Sequence, residues 1–332
     1  MLEKVYNAVR QFIFSNIYPA PWIFNRSTRS FIGLRQLSRL LPDYAELCHN
    51  LSFDLHGNMH EAIDHESLHP GRFEAVLIAK LDKKNIYANE KQYLIIVGGN
   101  TTCYQIFIPE MIGLYKKHHK QAYVLGFNPP GVGMSPGATN TPEDFCNALK
   151  SIIDNLCNNG VPADNIFIIA HSLGAAIAAR TLVQFHENGK PVRLFTDRTM
   201  MRISEIAAVK MQKLFPIRIL RYTLGLLIYW LMKLLIKLVN LELDVAKDFV
   251  RINTISPGAA RGMLASHDEV IDDCDLYYGL PEMHQLEYYR KFKLKMDDKH
   301  KKSHSKPRHE LIEENGEKSA EQYLDECIKL KM

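Results

Sequence analysis

The sequence predicts an α/β fold, a mostly parallel sheet with helices on both faces and a helical cap or lid insert late in the chain. Three observations predict it. Uninterrupted apolar runs recur at YLIIV (93–97), AYVLGF (122–127) and IFIIA (166–170), the mark of strands buried on both faces. Helix-length segments separate these runs, and strands alternating with helices at this spacing imply parallel pairing. The composition is that of an ordinary globular protein, with 46% hydrophobic and 23% charged residues in 332, which excludes a disordered or collagenous chain. The length is worth about two domains at roughly 150 residues each, although α/β folds often run longer as one unit.

The elements follow in order. Residues 1–50 read as an N-terminal helical extension, with a short amphipathic helix that packs on the body, the alternative being contact with a membrane. Glu3, Lys4, Arg10 and short apolar runs exclude a secretory signal. Strand-like segments at 51–55 and 62–63 flank a Gly57-Asn58 turn, and 75–81 is another strand. The first half of the core, 51–200, continues with the strand at 93–97, a helix at 106–118 and the strand at 122–127. A helix follows at 142–158, with Thr141 as its cap and Pro142 at its first position. The strand at 166–170, a helix at 175–186 and a strand at 192–196 complete it. An apolar insert fills 201–250. The second half, 251–332, carries strands at 262–266 and 287–295, and runs at 311–314 and 320–329 that would form a closing helix. Six scattered cysteines without a CxxC pair indicate free thiols and a reducing compartment. A net charge of +4, dispersed along the chain, gives no basis for a nucleic-acid partner.

The most informative motif is Ala170-His171-Ser172-Leu173-Gly174. It directly follows a buried strand and directly precedes the small residues Ala175 and Ala176. Strand, tight turn and helix are the setting of a nucleophile elbow, which needs small residues two before and two after the serine. Ser172 would then sit at the C-terminal end of a strand, facing helix N-terminal amides that favour a developing oxyanion. The plainer alternative is a serine that caps the helix.

A nucleophilic serine needs an imidazole and an acid, which this fold type supplies in the order Ser, acid, His. Asp268, just past the strand at 262–266, is the preferred acid. Asp197, one strand after the serine, is its rival, unless it forms an internal salt bridge with Arg198. The loop after 287–295 offers His300, His304 and His309, of which His304, flanked by serines, is chosen and His309 stands second. For the oxyanion hole the donors would be the N–H of Leu173 and that of Asn100, in the Gly98-Gly99-Asn100 loop whose glycines allow close backbone approach.

These residues give the chain a resemblance to the α/β-hydrolases, and more narrowly to chlamydial CHLPS-type proteins and SidB-type effectors of Legionella. The blocks GGNTTCYQ, FNPPGVGMSPG, IAHSLGA and TDRTM carry the closer likeness, with LVNLELDV a weaker echo, over roughly residues 93–332. The resemblance implies an esterase- or lipase-like fold with Ser172, Asp268 and His304 in the triad positions. It also implies a bacterial protein, cytoplasmic or peripheral on a membrane, that is delivered into a host cell. Ala170, where the motif has glycine, departs from the pattern.

The insert at 215–240 (FPIRILRYTLGLLIYWLMKLLIKLVN) has an uncharged stretch of only 11 residues, short of the ~20 needed to span a bilayer. Arg218, Arg221, Lys233 and Lys237 fall within one sector of roughly 160° on a helical wheel, and the segment has no acidic residue. That is the build of a helix lying in an anionic membrane interface; the alternative is a cap helix buried against the core. No metal or cofactor is expected. His60-Glu61 with His65 misses the spacing of HExxH, and Gly131-Val132-Gly133 lacks the third glycine of a dinucleotide loop. Two function classes follow: a serine hydrolase of an acyl ester, expected to be a lipid, or a catalytically inactive hydrolase fold used for binding or membrane docking.

Overall fold

A computed structural model describes residues 46–61, 71–81, 86–99, 102–118, 121–133, 135–137, 139, 141–199, 202, 227, 230–231, 233–234, 236–237, 243–265, 288–294, 308–313 and 318–330. Within these, ten strands form one sheet: β1 (Cys48–Asp54), β2 (Met59–Glu61), β3 (Arg72–Ile78), β4 (Gln92–Val97), β5 (Ala122–Phe127), β6 (Ile166–His171), β7 (Arg193–Asp197), β8 (Ala260–Ala265), β9 (Tyr289–Leu294) and β10 (Leu311–Glu313). Their order is β10-β9-β8-β7-β6-β4-β5-β3-β1-β2. Pairing is parallel from β5 through β9 and antiparallel at both edges, at β1–β2, β1–β3, β3–β5 and β9–β10.

Every residue of β4 and β5 is buried, and every residue of β6 except His171. The apolar runs therefore do what their composition requires, since a central parallel strand has no solvent face. Helices α1 (Tyr104–His118), α2 (Pro142–Asn158), α3 (Leu173–Glu187), α4 (Val245–Ile255) and α5 (Ala320–Lys329) cover the sheet. α1 and α5 pack together. Lys117 pairs with Asp325, and His118 Nε2 lies 3.2 Å from Asp325 Oδ1. The second group is α2, α3 and α4, in which Cys146 Sγ reaches the Ile177 carbonyl (3.7 Å) and His186 Nδ1 meets Ser256 Oγ (2.9 Å). The helix at Pro142–Asn158 begins as its sequence specifies, with a reciprocal capping box between Thr141 and Asp144.

Strand order decides where a site can form. From β4 the chain crosses to β5 on one side, then returns through α2 to β6 on the other side of β4. The connections leaving β4 and β6 therefore diverge at their C-terminal ends, which opens a crevice between two neighbouring strands.

Three segments differ from the sequence reading. Residues 311–313 form an edge strand, not part of the closing helix, because β9 offers them an unpaired antiparallel edge (Leu311 opposite Leu294); the helix is 320–329 alone. Strand β1 starts at Cys48, inside the expected extension. Helix α4 crosses the expected division at 250, since Val245, Phe249 and Ile252 belong to the core beside α3. The loop after β5 is pinned by Asn128. Asn128 is buried, its Oδ1 accepts from the Tyr104 N–H (2.9 Å), and its carbonyl accepts from Ser135 Oγ (2.8 Å). All five described cysteines are free, and Cys274 lies outside the described residues. Among the described residues, no helix is long and apolar enough to cross a membrane.

Asp248, on α4, is buried, and its Oδ2 has no hydrogen-bond partner among the described residues. Burial lifts its carboxyl from 3.8 to about 6, with Arg180 opposing. A raised folded value means that its contribution is most favourable below about 4 and is lost as pH rises through 6. Asp248→Asn should therefore stabilise the protein at pH 7, on the order of 2 kcal/mol, with the gain vanishing toward pH 4 in thermal melts.

Candidate active site

Ser172 stands between β6 and α3 with φ 52° and ψ −122°, a backbone conformation that costs a non-glycine residue of order 1–3 kcal/mol. Its neighbours hold it there. The Ser172 N–H donates to the Asp197 carbonyl (3.0 Å), and the Ser172 carbonyl accepts from Thr199 Oγ1 (3.0 Å) and from the Ala175 N–H (3.1 Å). The side chain makes no capping hydrogen bond to α3. The serine thus occupies the N-cap position without doing a cap's work, which removes the plainer explanation for its presence.

The small residues around it have distinct reasons. A Cβ on Gly174 would overlap the Gly98 carbonyl and approach the Val97 carbonyl oxygen to 2.7 Å. A Cβ on Gly99 would come within 2.9 Å of the Ser172 Cβ. The turn after β4 and the turn after β6 are therefore pressed together backbone to backbone, and Thr102 Oγ1 steadies the first by donating to the Gly99 carbonyl (2.8 Å). Ala170 is fully buried and lies in register between Val97 of β4 and Thr196 of β7, so a methyl fits where the motif has glycine.

Leu173 opens α3, and its N–H is one of the helix's first amides, which have no acceptor within the helix. The macrodipole adds partial positive charge at this end. Asn100 lies outside the described residues, one position beyond Gly99. So do Asp268, three residues past the end of β8, and His300 and His304, between β9 and a short 3₁₀ turn (Arg308–Glu310). His309 sits in that turn, exposed.

The rival acid has another occupation. Asp197 is fully buried at the end of β7, directly opposite His171. Its Oδ1 receives Arg198 Nε at 2.6 Å, and its Oδ2 receives Arg198 Nη2 at 3.0 Å and Arg308 Nε at 2.9 Å. Arg308 also pairs with Glu110 on α1. Burial alone would raise the Asp197 carboxyl, but the two guanidiniums outweigh it and hold the group well below the usual carboxylate range. The salt bridge foreseen for Asp197-Arg198 is thus part of a larger cluster. No spacing in the sequence pairs residue 308 with 197 and 110; only the run of Arg beside His in KPRHEL marked the neighbourhood.

A cavity of about 520 Å³ opens between α1 and α5, against the cluster. His171, Arg198, Arg308 and His309 line its polar wall, and Phe107 and Leu324 are among its apolar lining. The His171 Nδ1 lies 3.6 Å from Asp197 Oδ2. The structure therefore brings Ser172, Leu173, the Gly98-Gly99 turn and Asp197 to one end of the sheet, and places His309 on the wall that His171 shares.

Two outcomes are expected. Ser172→Gly relieves the positive φ and should raise the unfolding free energy by about 1 kcal/mol in denaturant titrations. Asp197→Ala strands two buried guanidiniums and should cost about 3–5 kcal/mol in the same assay.

The family profile for the alpha/beta hydrolase fold matches residues 92–194, the segment from β4 to β7 that contains the elbow. An alpha-beta hydrolase from Vibrio vulnificus is similar in structure, with a TM-score of 0.52 and 15% identity over 82% of this chain and 85% of that one. Esterases of Pyrococcus furiosus (0.46, 15%, 76% and 82%) and Pyrobaculum calidifontis (0.41, 13%, 87% and 88%) are also similar. A comparison with curated protein sequences finds no match. The strand order, the strained serine at the end of β6 and the matched segment together give this chain the α/β-hydrolase fold.

Proposed function

We propose that the protein hydrolyses an acyl ester of a lipid through a serine nucleophile. The observation that carries this reading is Ser172 itself, a buried serine held at positive φ whose hydroxyl leaves the adjoining helix uncapped. Strain of this kind persists only where the surroundings over-determine it, and it gathers where a side chain must be presented to a substrate.

In this reading His304 takes the Ser172 proton as the hydroxyl oxygen bonds to the ester carbonyl carbon, and Asp268 orients the imidazole and stabilises its protonated form. The Leu173 and Asn100 amides hold the oxyanion. The imidazolium returns its proton to the departing alcohol, which leaves an acyl-enzyme. Water, deprotonated by His304, then releases the acid and restores the serine. The position of Asp268 beyond β8 and of His304 beyond β9 supports these roles, because both strands run parallel to β6 and so end on the same edge of the sheet. The salt-bridged state of Asp197 supports Asp268 over it as the acid. The long apolar insert between elbow and acid supports a lipid ester and a cap that contacts a membrane. The motif resemblance to the chlamydial and Legionella proteins is what suggests delivery into a host cell.

A fluorophosphonate probe should label the protein once per chain and fail on a folded Ser172→Ala variant. His304→Ala should lower nitrophenyl-ester turnover by roughly a thousandfold or more, and Asp268→Asn by about 10⁴. A folded wild-type chain that resists the probe both in solution and on lipid vesicles would favour the inactive docking module instead. Turnover that survives His304→Ala but not His309→Ala would reassign the base.

A further inference from the structure

Between the elbow and α4, the described residues 227, 230, 231, 233, 234, 236 and 237 are helical. Leu227, Trp230, Leu231 and Leu234 follow the i, i+3, i+4, i+7 spacing and are 51–65% exposed. At ~100° per residue they form one stripe about 100° wide. Ile236 falls on the opposite side of the helix and is fully buried within the continuous core. Among the described residues, Ile236 is thus seated on the body while Leu227, Trp230, Leu231 and Leu234 face outward.

We propose that this stripe docks the protein on an anionic lipid surface, with Trp230 as its interfacial anchor. The occupant is chosen by charge. Lys233 and Lys237 lie on one flank, between the stripe and the seated side, at the height where ammonium groups would reach headgroups while the leucines enter the acyl boundary. Lys233 Nζ sits 5.1 Å from the centre of the Trp230 ring, which places cation and indole at one level. Residues 215–240 contain no acid. A second copy of the chain would bring these cations against themselves, whereas lipid phosphates and carboxylates complement them. This deepens the ester-hydrolase reading and rests on it for one point only, that the surface is where the substrate lies.

The test separates the two. The Ser172→Ala chain is mixed with vesicles of phosphatidylcholine alone or with phosphatidylserine added, and binding is read by flotation. Trp22→Phe leaves Trp230 as the sole tryptophan, so its emission reports insertion. The expected result is binding to the anionic vesicles with a blue shift of Trp230 emission. Leu231→Ser with Leu234→Ser should weaken binding at least roughly tenfold, and Lys233→Gln or Lys237→Gln by roughly fivefold each. Equal binding to neutral vesicles, binding untouched by the leucine changes, or a stripe-dependent dimer that excludes vesicles would each overturn the proposal. Loss of docking with nitrophenyl-ester turnover intact in the Ser172-containing protein would leave the esterase standing. Docking by a chain that no fluorophosphonate labels would do the opposite.

Discussion

The contact on which the site depends is between two backbones. Gly174, at the start of α3, lies so close to the Val97 and Gly98 carbonyls that no side chain can stand between them. This closeness fixes how sharply the chain turns from β6 into α3, and the turn forces Ser172 to φ 52°. The hydrogen bonds from the Ser172 N–H to the Asp197 carbonyl and from Thr199 to the Ser172 carbonyl then tie the corner to β7. The strain is local, but the packing that holds it reaches across three neighbouring strands. A rigid sheet is suited to this, because its ladder resists the small shift that would let the serine relax.

Beside the corner lies a second construction of a different kind. Asp197, Arg198, Arg308 and Glu110 come from the end of β7, the connection toward β10 and the face of α1; the first three charges are largely buried and Glu110 stands partly exposed at the rim. Such a cluster is costly to desolvate and adds little net stability, yet it is expensive to break. Its consequence here is positional. It fastens the turn that carries Arg308 to the strand next to the elbow.

The apolar helix follows a third rule. Burying its leucines would satisfy the hydrophobic effect within the chain, and the fold leaves them out while seating Ile236. A contiguous exposed apolar stripe beside lysines carries a solubility cost that a monomer in water has no reason to bear, which is why the stripe bears on function.

Much of this was legible in the sequence for a simple reason. Central strands with no solvent face must be apolar throughout, so YLIIV, AYVLGF and IFIIA announced β4, β5 and β6, and the small residues about Ser172 announced the corner from β6 into α3. Thr141 and Pro142 likewise marked a helix start from local sequence alone, and the structure adds Asp144 as the other half of the capping box. Tertiary structure decided what depends on partners distant in the chain. Residues 311–313 pair as a strand because β9 presents an open edge, and Asp197 is an ion-pair centre because residues 110 and 308 arrive beside it. Helical periodicity showed that 227–237 has an apolar side, but which side faces water is set by the body on which Ile236 rests. Local pattern determines an element and its faces; only the assembled sheet determines what each face meets.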